Sequence, residues 1–279
     1  MSPARFERDT AVHLLDPVAP RGAGTGTGTD ILRTRRYSAD IDGTWWIVAG
    51  PNGGYIGAIV ARAVMDAAGS ERRRLRTLHL QYLRRPVEGP CEVAVEVIRH
   101  GRSVSFARAS MQQDGHELVT AAASLAEGFE APSFDEGDGS DFDGWTAADG
   151  IPADIPTGPI EIPLHRQFDY RPHVSGSMRV GGWIRFRESG VLDECALVAM
   201  TDAWWPPVIA EMHRFDRPMA VPTIDLTVHL RLRPPADTEW VQAIYSSPLA
   251  DDGYLTEHAR LRVPGTGLVA ESTQLAILR

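Results

Sequence analysis

The chain has 279 residues, of which 43% are hydrophobic and 23% charged. That balance excludes a disordered, collagenous or coiled-coil chain, and the length is that of two ordinary domains or one large one. The formal net charge of −9 excludes the basic excess that neutralises phosphates, so no nucleic-acid partner is expected.

The two cysteines, Cys91 and Cys195, are too few for a disulfide framework or a four-thiolate metal site and fit a reducing interior. No stretch approaches a membrane span, and Met1–Thr10 has no apolar signal segment, so a cytoplasmic location is expected.

Phe6–Leu15 and Ile31–Ile41 read as strands. Between them, RGAGTGTGTD (21–30) lacks the GK[ST] that would make it a phosphate loop, so it reads as a surface loop. Gly53-Gly54 then opens a helix that ends at Gly69. Its apolar face is Ile56, Ile59, Val60, Ala63, Val64 and Ala67, at helical spacing. Four strands follow: Thr77–Leu83, Cys91–Ile98, Ser103–Met111 and Leu118–Ala126, with a hairpin turn at Asp114-Gly115. From Glu130 to Pro163 the chain turns acidic, then proline-rich, as a linker does.

The second half repeats the list. Leu164–Tyr170 and Gly181–Arg187 read as extended, and Leu192–Trp204 as an apolar helix stopped by Pro206-Pro207. Ile224–Arg233, Trp240–Ser247, Tyr254–Val263 and Leu268–Leu278 read as strands. LHLQYLRRP (78–86) can be laid on LTVHLRLRP (226–234), LVTAAASLA (118–126) on LVAESTQLA (268–276), and AIVARAV (58–64) on VAMTDAW (198–204). Three matches in the same order indicate an internal duplication. An antiparallel sheet with one apolar helix must wrap that helix to bury it. The expected fold is therefore α+β, a double hotdog: an N-terminal module over 1–130, a linker over 131–163 and a C-terminal module over 164–279.

The motifs PNGGYIGAIVARA (51–63), TLHLQYLRRP (77–86), VAMTDAWWPP (198–207), PTIDLTVHLR (222–231) and LVAESTQLAI (268–277) resemble the acyl-CoA thioesterase II family and its thioesterase-like actinobacterial relatives. The resemblance implies hydrolysis of acyl-CoA to free acid and CoA, without cofactor or metal. It places the family's acid at Asp202, its hydroxyl at Thr223 and its amide at Gln274. Trp204 and Trp205 are larger than the family's usual residues near the acid and could narrow the acyl channel; from their own chemistry, Asn52, Gly53, Gly54 and Arg84 are candidate substrate contacts.

The residues themselves leave alternatives. Asp202 in an apolar helix is costly unless partnered, yet it could be a C-terminal carboxylate reaching solvent. Thr223 shares its alternation phase with Asp225, Thr227 and His229, which would turn it outward unless a bulge intervenes. A buried amide at Gln274 demands partners. Backbone N–H groups at Asn52–Gly54 are candidates to polarise a carbonyl. Arg72–Arg74, Arg76, Arg84 and Arg85 could meet CoA phosphates or simply be solvated. No G-x-S-x-G or H-E-x-x-H occurs. Ala61 stands roughly where the second helix has Asp202, so one composite site per chain is expected. The rivals are a hotdog hydratase or dehydratase, which needs a histidine near the acid, and a non-catalytic acyl-thioester binder. Sheet edges and faces suggest a homodimer.

Overall fold

The computed structural model describes residues 3–15, 34–48, 50–69, 72–135, 137, 142, 145–150, 161–176, 178–211 and 220–279. The Gly/Thr-rich segment 21–30, the start of the strand expected at Ile31, and the prolines at 152, 156 and 159 lie outside them.

In chain order, α1 (Arg5–Asp9), β1 (His13–Leu14), β2 (Thr34–Ile41), β3 (Trp46–Ile47) and β4 (Gly50–Pro51) precede α2 (Gly53–Ala68). Four strands follow: β5 (Arg74–Tyr82), β6 (Gly89–His100), β7 (Val104–Gln113) and β8 (His116–Ala126). The second half runs β9 (Phe168–Gly176), β10 (Arg179–Phe186), α3 (Glu194–Met200), α4 (Pro207–Ala210), β11 (Thr223–Leu230), β12 (Val241–Asp251), β13 (Tyr254–Val263) and β14 (Gly267–Ile277).

Twelve strands form one antiparallel sheet in the order β1-β2-β6-β7-β8-β5-β11-β14-β13-β12-β10-β9. The two halves have the same topology, and β5 meets β11 at the middle. His79 is paired with Thr227 there, and His79 Nδ1 lies 2.8 Å from Thr227 Oγ1. These are equivalent positions of the repeat, so this pair marks its pseudo-twofold axis.

The hairpins explain a one-residue error in the sequence superposition. Laying 118–126 on 268–276 sets Gln274 against Ser124. The ladders instead pair Leu226 with Gln274 in one half and Leu78 with Ala123 in the other, so Gln274 corresponds to Ala123. The β13–β14 turn has three residues, Pro264–Thr266, where the β7–β8 turn has two, Asp114-Gly115.

α2 is capped by the Asn52 side chain, which accepts from the Tyr55 N–H, and it ends at Gly69 in the left-handed conformation. Burial exceeds the expected face: Tyr55, Ile56, Ala58, Ile59, Val60, Ala61, Ala63 and Val64 are all enclosed. Each large aliphatic among them contributes about 1.5–3 kcal/mol by leaving water. α2 is in contact with β2, β5, β6, β7 and β8 and with α3, which accounts for that burial.

Three sequence expectations are corrected. Phe6–Leu15 is a strand only near its end, at His13–Leu14. Residues 5–9 are helical because the Glu7 carboxylate reaches back to the Ala4 N–H, and Phe6 packs on Trp45 and Phe186. Leu164–Gln167 lies in a tight 3-10 turn before β9 rather than in the strand itself. The helix expected over Leu192–Trp204 is only Glu194–Met200, ending well before Pro206. Asp193 caps its start, and the Thr201 hydroxyl turns back to the Val198 carbonyl at its end. Asp202 is therefore in the turn after α3, not on the helix.

α3 packs antiparallel against α2. Gly57 lies under Val198, Arg62 meets Asp193 at 3.4 Å, and Met65 Sδ lies 4.0 Å from Cys195 Sγ. The described part of the 131–163 stretch crosses the second half of the sheet. Asp135 pairs with Arg262 at 2.9 Å, and Phe142 and Trp145 pack on His173.

Candidate active site

Antiparallel packing brings the turn after α3 to the N-terminus of α2. Gly54 permits the approach, since a Cβ there would lie 2.7 Å from the Ala199 carbonyl oxygen. A Cβ on Gly53 would crowd Asp202 Oδ2 and the Tyr82 hydroxyl. The Tyr82 O–H in turn donates to the Gly53 carbonyl at 2.8 Å.

The Asp202 carboxylate accepts from the Gly54 N–H at 3.0 Å and from the Asn52 amide at 2.9 Å, both on Oδ2. The Asn52 amide also donates to the Asp202 carbonyl at 2.7 Å. Burial pushes this carboxyl up to about 6. The Gly54 N–H, the Gln274 and Asn52 amides and the Gly53 backbone hold it back from rising further. One sequence expectation changes as a result: the Gly54 N–H at the positive end of α2 holds the acid instead of a substrate carbonyl.

On its other oxygen, Asp202 Oδ1 accepts from Gln274 Nε2 at 3.3 Å. Gln274 Oε1 in turn accepts from the Thr223 hydroxyl at 3.0 Å. A bulge between Thr223 and Asp225 turns Thr223 inward, which strict alternation would not have done. Asp225, the rival carboxylate, accepts from the Leu275 N–H at 3.4 Å and, among the described residues, bonds none of Asp202, Thr223 or Gln274. Burial first, then the charges of Asp202 and Asp225, raise the Tyr82 hydroxyl.

The structure thus brings Asp202, Thr223, Gln274, Asn52, Gly53 and Gly54 together. Beside them Trp204 is buried among Tyr170, Trp205 and Tyr245, at ring-centroid distances of 5.1, 4.9 and 6.0 Å. Arg84 is exposed and donates to the Glu117 carbonyl at 3.3 Å, outside this network. Arg74 and Arg76 lie at the far end of β5, on the Glu194 carboxylate and the Ala126 carbonyl. Arg73 bonds to Gly101, Arg102 and Ser105.

The sequence reading missed Glu257. It is buried on β13, and its Oε1 accepts from Gln274 Nε2 at 2.6 Å. A signal was there: in YLTEHARLRV the inward phase is Leu255, Ala259, Leu261 and Val263, and Glu257 alone breaks it with a charge.

Two family models match in tandem, the acyl-CoA thioesterase N-terminal domain over residues 41–126 and the acyl-CoA thioesterase C-terminal domain over residues 127–278. The chain belongs to the acyl-CoA thioesterase family. Solved structures agree on the fold. A hot dog fold protein from Alicyclobacillus acidocaldarius is 20% identical, with TM-score 0.79, over 98% of this chain and 97% of that one. The acyl-CoA thioesterase II TesB2 from Mycobacterium marinum is 20% identical, with TM-score 0.65, over 88% of this chain and 91% of its own. The tesB protein of Mycobacterium avium subs paratuberculosis is 18% identical, with TM-score 0.67, over 88% and 92%. No curated protein matches this sequence. The large antiparallel sheet with few helices fits a hotdog fold. Among the described residues no helix is long and apolar enough to cross a membrane.

Proposed function

We propose that the chain is an acyl-CoA thioesterase of double-hotdog architecture, with modules over 1–130 and 164–279, a linker over 131–163, and one composite site. The observation that carries this is the Asp202–Gln274–Thr223 chain of hydrogen bonds, seated on the α2 N-terminus of the other half.

Thioester hydrolysis needs an aimed water and a group to take its proton. Above pH about 6 Asp202 is ionised and can accept that proton. Thr223 spends its own hydrogen on Gln274, so its free lone pairs can accept from the water. The water oxygen attacks the thioester carbon, the C–S bond breaks, and the proton that Asp202 took passes to the departing CoA sulfur, which resets the carboxylate. Trp204 and Trp205 would wall the acyl group. Arg84, with Arg85 packed over Gly50 before the α2 start, would meet CoA phosphates. The hydratase reading is weakened because, among the described residues, the side chains that bond Asp202 are Asn52 and Gln274 and include no histidine. A homodimer belongs to the same proposal, and a monomer mass in sedimentation would remove it.

The test is thiol release from a panel of acyl-CoAs, acetyl to palmitoyl, by the wild type and by Asp202→Asn. Release by the wild type that the variant loses supports the reading. No release across the panel, or equal release by both, overturns it.

A further inference from the structure

We propose that Glu257 is a positioning residue that locks the Gln274 amide and thereby fixes Thr223 and Asp202 around the water. This deepens the thioesterase reading and rests on it.

The geometry is specific. Glu257 and Gln274 are directly opposed in the β13–β14 ladder. Gln274 Nε2 has two hydrogens and two acceptors, Glu257 Oε1 at 2.6 Å and Asp202 Oδ1 at 3.3 Å. With the Glu257 proton on Oε2, toward Ser247, flipping that amide would press its oxygen against the lone pairs of Glu257 Oε1 and Asp202 Oδ1. Its oxygen is therefore held toward Thr223, which donates to it at 3.0 Å. The direction of the Thr223 hydroxyl, and so of its free lone pairs, follows from Glu257 at one remove.

The groups facing Glu257 are Gln274 from β14, Ser247 and Tyr245 from β12, and Asp202 from the turn after α3. Among the described residues no basic side chain acts on it. Hydrogen bonds from Gln274 and Ser247 hold the Glu257 carboxyl back, but it is buried and faces Asp202. An ionised carboxylate there would be costly, and a second negative charge beside Asp202 costlier still. Burial first, then the charge of Asp202, push the Glu257 carboxyl up to about 8. At neutral pH the pair carries one charge. It rests on Asp202, which has the Gly54 N–H and the Asn52 amide to hold it. Above pH about 8 Glu257 ionises, and the second charge opposes the negative charge that builds on the thioester oxygen.

The experiment compares wild type, Glu257→Gln, Glu257→Ala and Asp202→Asn on the best acyl-CoA of the panel, with kcat and KM followed from pH 5 to 10. Glu257→Ala should lose about 20-fold in kcat with KM within about threefold. Glu257→Gln should recover most of that loss and abolish the fall in kcat above pH about 8. A 13C carboxyl resonance that is absent from Glu257→Gln should titrate near 8 in the wild type, a readout that needs no turnover. Glu257→Ala within about twofold of wild type, an unchanged alkaline fall in Glu257→Gln, or a resonance titrating in the ordinary glutamate range near 4.5 overturns the proposal. If Glu257→Ala does not fold, the Gln variant and the titration decide. Asp202→Asn separates the two levels. If it is inactive while the Glu257 variants behave as wild type, only the positioning role falls. If it is fully active, the thioesterase site itself falls.

Discussion

The two halves carry the same sheet topology and the same bulge, yet only one bulge holds polar chemistry. In β11 the bulge lies between Thr223 and Asp225, and in β5 it lies between Leu75 and Thr77. Around the second-half bulge stand Thr223, Gln274 and Glu257. The ladder-equivalent first-half residues are Leu75, Ala123 and Ala107, all buried and apolar. The helix ends differ in the same sense. The α2 N-terminus receives the Asp202 carboxylate. The α3 N-terminus is closed by ion pairs, Arg62 with Asp193, and Arg74 and Arg233 with Glu194. A duplicated scaffold thus supplies a helix N-terminus twice and a bulged strand twice. One combination is polar, and the other is filled by leucine, alanine and salt bridges. A buried polar cluster needs every member satisfied, so it is held in one half and absent from its copy.

Substitutions that make the halves alike test this difference. The largest effect is expected for Asp202→Asn, which keeps the shape and removes the proton acceptor. Its kcat should fall by about 10³-fold, read by thiol release, with circular dichroism unchanged. Gln274→Ala installs the first-half residue. It should cost about 100-fold in kcat, because Asp202 and Thr223 lose their common partner; wild-type rates would place the chemistry elsewhere.

Next is pH. The proposed mechanism needs ionised Asp202, so kcat should fall below pH about 6, to about a tenth of its plateau by pH 5. Stability runs the other way. Asp202 and Glu257 are both raised in the folded chain, to about 6 and about 8. The folded state therefore binds more protons there, and stability present below pH 4 is lost as pH rises through those values. Thermal unfolding should show Tm declining from pH 5 to 9, and declining less in Glu257→Gln.

Gly54→Ala pushes a methyl to within contact of the Ala199 carbonyl. It should destabilise the chain by about 1–3 kcal/mol in denaturant titration, lowering activity through the displaced Asp202. The smallest effect is expected in the apolar copy. Ala123→Ser should leave kcat within about twofold, and a large loss there would mean that the first half also takes part.

Much of this could be read from residue order. Periodicity marked α2 because Ile56, Ile59, Val60 and Val64 recur at helical spacing, and glycine closes the helix at 69. Alternation marked β13 to the residue, Tyr254–Val263. Asp202, Thr223 and Gln274 were accessible through their motifs, while Glu257 was overlooked although its charge interrupts an apolar phase. Strand spacing failed where the third dimension intervenes. Thr223 lies in an outward phase by count and points inward because of a bulge, and α3 stops at Met200, with Asp202 in the turn beyond it bonded to another helix.

The sequence by itself determined the repeated order of helix and strands, the apolar faces and the chemical types available, since those follow from local spacing and propensity. Tertiary structure alone decided which of these residues meet. Whether a carboxylate in a short apolar segment is an unpartnered liability or a held base depends on a helix N-terminus about 150 residues earlier in the chain, and only packing sets that distance.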